Sequence, residues 1–215
     1  MTVASNFLVF VALGLTLLLV WRQSWRGRVR LFVAQSCVLA ALAVTLGALV
    51  QRPVLVAVGV VFAVMKTWII PRVLRRMGRG SPLRPVAPGR SAGLPVLAAG
   101  ALVVVAYAVM LPITGAVATG VPTRGAIPLA FAVVLIGLFV CVTGRDALGQ
   151  VIGFLVFENG LFALALLATY GLPGIVEAGA FLEVLVLILI MEGVLVQIRR
   201  EHDSLDIERL RELRG

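Results

Sequence analysis

The chain has 215 residues, of which 13% are charged and 61% are hydrophobic, and its mean hydropathy is +1.10. Because roughly a quarter of the residues in a soluble domain are charged, this composition excludes a globular protein with a water-facing surface. The net charge of +9 could indicate a nucleic-acid partner, but the arginines lie in the gaps between apolar runs and form no single basic face. We therefore expect an all-α integral membrane protein that contacts the lipid bilayer and no nucleic acid.

Seven apolar runs follow one another along the chain, and each is long enough to cross a hydrocarbon core of about 30 Å as a helix. They cover residues 4–21, 31–50, 54–71, 94–111, 127–143, 148–170 and 175–198. The gaps carry proline or glycine, as at Pro71 and Pro112, which predicts that helices end there. Six glycines inside the runs predict close packing between helices: Gly14, Gly47, Gly59, Gly100, Gly137 and Gly153.

The basic residues are divided unequally between the two sides of the predicted bundle. With seven spans, sixteen arginines fall on one side, Arg52 and Arg124 fall on the other, and Lys66 lies inside the third run. Basic residues are concentrated in cytoplasmic loops. The asymmetry therefore predicts about seven transmembrane helices, an outer N-terminus and a cytoplasmic C-terminus, in a multi-pass protein of the prokaryotic cell membrane.

The acidic residues show a second asymmetry, because all ten lie at or after Asp146. Glu158 falls near the middle of the sixth run, and Glu183 and Glu192 fall within the seventh. One charge at the bilayer centre costs about 2.5–3.5 kcal/mol, so such residues are usually functional. Glu183 and Glu192 are nine positions apart, which places them on opposite faces of one helix.

Lys66 is the remaining charge at bilayer depth, in the middle or inner half of the third run. Its side chain could extend towards Arg72 at the membrane surface, or it could meet a carboxylate on a neighbouring helix. Groups that gain and lose protons at this depth are the physical basis of a proton path. The sequence thus predicts a path that contains Glu158, Glu183, Glu192 and Lys66.

Metal and cofactor ligands are sparse in this sequence. Cys37 and Cys141 belong to no CxxC pair, and His202 is the single histidine. Iron–sulfur, haem and zinc sites need more ligands than these residues supply. We expect no metal or cofactor to be bound by this chain alone and no catalytic centre in it.

The last ninety residues resemble a known family of membrane subunits. From Ile127 onwards there are three predicted spans, an inner turn at Gly144-Arg145, Glu158 in the middle span, Glu183 in the last span, and the ending SLDIERLRELRG. This arrangement resembles the K-type small membrane subunit of respiratory complex I and its relatives in cation/proton antiporters. With four further helices before it and the phrase FENGLF at 157–162, the chain is similar to hydrogenase-4 component E of energy-converting hydrogenases.

The resemblance implies three parts: a four-helix extension over 1–126, a K-like core over 127–200 and a cytoplasmic tail over 201–215. It implies a non-catalytic membrane subunit of an oxidoreductase complex that contributes to proton translocation. Its partners would be antiporter-like and quinone-site-type membrane subunits and cytoplasmic hydrogenase subunits, which would carry the nickel–iron and iron–sulfur centres. A stand-alone cation/proton transporter, an antiporter-type transporter subunit and a purely structural scaffold are the alternatives.

Overall fold

A computed structural model describes residues 2–80, 93–117, 123–144 and 147–169, and these ranges are helical with short connections. The helices are α1 Thr2–Trp21, α2 Trp25–Leu49, α3 Pro53–Val64, α4 Ile70–Gly80, α5 Gly93–Val117, α6 Ile127–Thr143 and α7 Ala147–Thr169. Proline stands in the first turn of both α3 and α6, where its missing N–H would have no intrahelical partner anyway.

The described residues form six helical spans that are long and apolar enough to cross a membrane. They correspond to the first six predicted runs, and the all-α membrane fold is confirmed. The predicted seventh span at 175–198 and the tail at 201–215 lie outside the described residues. The seven-span count and the N-out orientation therefore stay predictions.

The third span is longer than its apolar run and has an irregular centre. A π-helical turn, Met65–Ile69, joins α3 to α4, and the N–H of Ile70 donates to the carbonyl oxygen of Met65, five residues back. Pro71, where a helix end was predicted, lies one residue beyond that bond. The predicted helix end at Pro71 was wrong, because the chain continues as α4 beyond it. Proline cannot donate a backbone hydrogen bond, and the π-helical turn just before it already departs from the regular hydrogen-bond pattern.

Pro112 likewise does not end a helix, since α5 continues through it to Val117. Transmembrane helices tolerate an internal proline when nearby groups re-satisfy the backbone. Pro112 leaves the carbonyl of Ala108 without its usual helical donor. The hydroxyl of Thr114 donates instead to the carbonyl oxygens of Met110 and Leu111. The polar side chain thus stays within its own helix.

A tight hairpin of α6 and α7 forms the centre of the described bundle. Helix α1 packs against α2, α5 and α6, whereas α2 packs against α3 and α7. Helices from both sides of residue 126 are thus packed together. The proposed division of the chain into an extension and a core is not tested by this packing and stays a prediction.

Glycines allow the closest approaches, as predicted for four of the six positions. Gly137 and Gly153 face the backbone of Phe157 and Cys141 across the α6–α7 contact, and Gly47 and Gly59 lie in the α2–α3 contact. Gly14 and Gly100 differ, because a Cβ atom built there meets nothing within 4 Å among the described residues. Close packing at these two glycines stays a prediction.

Candidate functional site

The site begins with a buried ion pair between the third and sixth spans. The Nζ atom of Lys66, on the π-helical turn, lies 2.6 Å from Oε2 of Glu158 on α7. Lys66 is 0% exposed and Glu158 is 4% exposed. Two residues 92 positions apart in the chain therefore meet inside the bundle. Of the two orientations left open for Lys66, the structure has the one towards a carboxylate.

Aromatic rings cover the ammonium group of Lys66. Its Nζ atom lies 5.4 Å from the ring centre of Phe62 and 5.9 Å from that of Phe32. Phe62 in turn stacks on Phe162 of α7, with ring centres 4.1 Å apart. Ring faces attract cations, so the pair has a second source of stabilisation. Both rings near the ammonium group are themselves buried, with Phe32 0% and Phe62 2% exposed.

The π-helical turn explains how a helix can deliver a lysine to this position. An extra residue in a turn rotates the following side chains relative to a regular helix, and such turns are frequent at functional sites. Met65 and Lys66 are the buried residues of this turn, whereas Trp68 is 58% exposed. The turn thus directs Lys66 inward at the point where α3 gives way to α4.

Beside the ion pair, a row of polar side chains crosses three helices. The amide nitrogen of Asn159 donates to Oε1 of Gln35 at 3.2 Å and to the hydroxyl of Ser36 at 3.1 Å. The amide of Gln35 donates to Thr16 on α1, and Thr16 donates to the carbonyl oxygen of Ala12. All four side chains of this amide row (Thr16, Gln35, Ser36 and Asn159) are buried.

The amide row has a fixed direction and carries no charge. Asn159 donates to Gln35, Gln35 donates to Thr16 on α1, and Thr16 donates to a backbone carbonyl. Ser36 accepts from Asn159 and donates to the carbonyl oxygen of Phe32 in its own helix. None of the four side chains exchanges protons near neutral pH. The row therefore holds α1, α2 and α7 in register, and it offers no ionisable group through which a proton could leave Glu158 in that direction.

Gln35, Ser36 and Thr16 were not predicted from the sequence. Asn159, next to Glu158, bonds the neighbouring helix α2 through Gln35 and Ser36. A large amide within an apolar run was the available signal, because such groups pair across helices in membranes. Predicted residues Glu183 and Glu192 lie outside the described residues, so their place in a path stays a prediction. Within the described ranges, no three His, Cys, Asp or Glu side chains gather as metal ligands would.

Comparison with known proteins supplies relatives over nearly the whole length. "Uncharacterized protein Rv0085" of Mycobacterium tuberculosis is 37% identical over 218 residues, which cover 98% of each chain. The chain belongs to the same family as that mycobacterial protein. No family profile matches the chain, and no solved structure matches it.

A second group of relatives is more distant. Hydrogenase-4 component E of Escherichia coli K12 and of Shigella flexneri is 26% identical over 194 residues, which cover 90% of this chain and 89% of theirs. The predicted resemblance to that protein is confirmed as distant homology. It extends well beyond the last ninety residues, so it includes most of the first four spans. The likeness to the K-type subunit is not among these matches and stays a prediction.

Removing the centre of the amide row should loosen the bundle. In Asn159→Leu, the amide of Gln35 and the hydroxyl of Ser36 lose their donor. Interhelical hydrogen bonds in membranes contribute about 0.6 kcal/mol each and up to about 1.7, so we expect a loss of about 1–2 kcal/mol in unfolding by SDS titration. Thr114→Val is the control, because Thr114 bonds only carbonyls of its own helix in the described structure. An equal loss in both variants would contradict a special role for the row.

Proposed function

We propose that this chain is a membrane-arm subunit of a complex-I-like energy-converting hydrogenase or a related oxidoreductase in the prokaryotic cell membrane. Support comes from the long, distant homology to hydrogenase-4 component E and from the six described spans. In this proposal the chain is not catalytic itself. Cytoplasmic partner subunits carry the nickel–iron and iron–sulfur centres and the electron transfer, and antiporter-like and quinone-site-type subunits lie beside it in the membrane.

We further propose that Glu158 and Lys66 take part in proton translocation. The observation that carries this proposal is the ion pair itself, which lies near the middle of two spans and is shielded by Phe32 and Phe62. Buried charges are expensive, and replacing such a pair by apolar residues is often neutral or stabilising. An ion pair at this depth is therefore a costly way to hold helices together, which favours a functional reason for it.

The geometry suggests how the pair would handle a proton. Oε2 of Glu158 accepts from Lys66, whereas Oε1 is buried and has no hydrogen-bond partner among the described residues. A proton that arrives at Oε1 neutralises the carboxylate and removes most of the attraction that holds the ammonium group of Lys66. Departure of that proton restores the pair. Protonation of Glu158 is thereby coupled to the position of a second charge.

Asn159, the neighbour of Glu158 in the chain, bonds an amide and a hydroxyl, neither of which is ionisable. In this proposal protons therefore reach and leave Glu158 without passing through the amide row. Glu183 and Glu192, on the predicted seventh span, are the proposed next groups in the path. This assignment rests in part on the proposed likeness to the K-type subunit.

A purely structural role is the alternative with a specific observation in its favour. The amide row beside Glu158 holds α7 against two helices without any titratable group, and the ion pair could extend the same function. The two roles differ in one consequence. If the pair is only structural, a neutral isostere of Glu158 that preserves assembly also preserves proton pumping. If Glu158 belongs to the proton path, the same substitution stops proton pumping.

Glu158→Gln should abolish proton pumping while the complex stays assembled. Glutamine has the same shape and keeps an oxygen that can accept from Lys66, but it cannot be protonated. Pumping is measured as dye-reported acidification of inverted membrane vesicles, and assembly as capture of partner subunits on a tagged full-length chain. Wild-type pumping in an assembled Glu158→Gln complex would exclude the path through this residue. Purification of the wild-type chain without any large membrane partner would exclude the subunit proposal itself.

A further inference from the structure

A groove opens on the surface of the bundle between the end of α1 and the beginning of α5. Its volume is about 350 Å³, near the lower end of the range for small-molecule sites. The groove is lined by Gly14, Leu17, Leu18, Trp21, Gly93 and Val96. All six are apolar, and both helices belong to the candidate membrane spans. The indole N–H of Trp21 is the one hydrogen-bonding group among these six side chains, so the lining suits a hydrocarbon chain better than a polar metabolite.

Two glycines give the groove its depth. A Cβ atom built on Gly14 or on Gly93 meets nothing within 4 Å, so the missing side chains leave space that the described residues do not fill. Gly14 and Gly93 differ in this respect from Gly137 and Gly153, where a Cβ atom would overlap the backbone of the facing helix. Unfilled apolar space loses dispersion contacts unless another molecule supplies them. A lipid acyl chain lying along α1 would supply them.

The charged end of the groove favours one class of headgroup. Trp21, at the rim, is 62% exposed, and the exposed residues Arg22 and Arg26 follow it in the chain. The Nε atom of Arg22 donates to the hydroxyl of Ser24 at 3.2 Å, and Arg26 lies 5.6 Å from the ring centre of Trp25. No acidic residue precedes Asp146 in the sequence. Anionic headgroups are attracted to such arginines, and tryptophan prefers the level of the headgroups.

We propose that this groove binds one anionic phospholipid, with an acyl chain between α1 and α5 and its phosphate near Arg22 and Arg26. The site is separate from the ion pair and does not depend on the proposed function. Its ligand is an ordinary membrane component selected by charge, in contrast to the unselective lipid contacts of exposed residues elsewhere on α5.

Trp21 provides a direct probe of the site. The full-length chain with Trp25→Phe and Trp68→Phe has Trp21 as its only tryptophan, and it is placed in vesicles that contain brominated phosphatidylglycerol or brominated phosphatidylcholine. We expect the anionic lipid to quench Trp21 fluorescence at lower mole fraction than the zwitterionic lipid. Arg22→Gln should reduce this preference about fivefold, which is the effect of one surface arginine on attraction to anionic lipids.

A matched pair of glycine substitutions tests the acyl-chain part. Gly14→Leu fills the groove and should remove the preference for the anionic lipid. Gly100→Leu adds the same side chain on α5 outside the groove lining, where no described residue lies close. This variant should retain the preference for the anionic lipid. Equal quenching by the two lipids would overturn the proposal, as would no quenching by either, since another segment or subunit would then cover the groove. The Arg22→Gln measurement still decides the question if Gly14→Leu does not fold.

Discussion

Replacing Glu158 by methionine should destabilise the bundle by about 3–5 kcal/mol, which is the usual cost of removing one partner from a buried ion pair. Lys66 would then hold an ammonium group that is 0% exposed without its carboxylate. Lys66→Met should cost a similar amount, because it leaves the carboxylate of Glu158 among apolar side chains. Both losses are measured as a shift of the midpoint in SDS titration of the purified full-length chain.

The double variant Lys66→Met/Glu158→Met should recover most of the stability lost by each single variant. It contains no unpaired charge, and methionine fills irregular space with an unbranched chain. Apolar replacement of a whole buried pair is often neutral or stabilising. Residues in direct contact give non-additive energies in a double-mutant cycle, so the coupling here should be several times that of a hydrogen bond within the amide row.

The same double variant separates stability from function. A stable, assembled double variant that does not pump protons would show that the ion pair is needed for proton translocation and not for stability. A double variant as unstable as the sum of the two single variants would contradict the ion pair itself, because the two residues would then act independently. A stable double variant with wild-type pumping would leave Lys66 and Glu158 only a structural role.

Much of the fold could be predicted from the sequence, because lipid imposes few choices. Apolar runs of nearly twenty residues must be helical in a membrane, and six of the seven predicted runs match described spans. The errors came at Pro71 and Pro112, where proline was taken as a helix end. In soluble helices that inference is sound, but here the helices continue past both prolines, in the case of Pro71 directly after a π-helical turn.

Lys66 and Glu158 could be recognised from the sequence because a charged side chain at bilayer depth costs free energy, but their partners could not. A lysine and a glutamate at bilayer depth are conspicuous in an apolar sequence. That they meet depends on how α3, α4 and α7 pack, and residues 92 positions apart leave no trace of contact in a single sequence. Gln35 is harder still, since a lone amide in a span predicts some interhelical bond without indicating that Asn159 is its partner.

Gly153→Ala should strongly disturb the α6–α7 hairpin. An added Cβ atom would overlap the backbone of Cys141 and Val140 on α6, and backbone atoms cannot turn aside as a flexible side chain can. Overpacking of this kind costs about 1–3 kcal/mol or more. The same substitution at Gly160 would place a Cβ atom 2.6 Å from the backbone nitrogen of Val134, so both positions should be destabilised in SDS titration.

Gly100→Ala is the matched control, because it changes a glycine of a membrane span into alanine where the added atom meets no described residue within 4 Å. Alanine favours the helix over glycine by up to about 1 kcal/mol, so this variant should be as stable as the wild type or slightly more so. A loss of stability in Gly153→Ala together with an unchanged or higher stability in Gly100→Ala would show that the close approach of α6 and α7, and not helix propensity, requires glycine at 153.

Because Glu158 and Asn159 lie on α7 between Gly153 and Gly160, Gly153→Ala should also weaken the coupling between Lys66 and Glu158 in the double-mutant cycle. Unchanged coupling in a destabilised Gly153→Ala variant would show that the ion pair keeps its geometry without the tight hairpin.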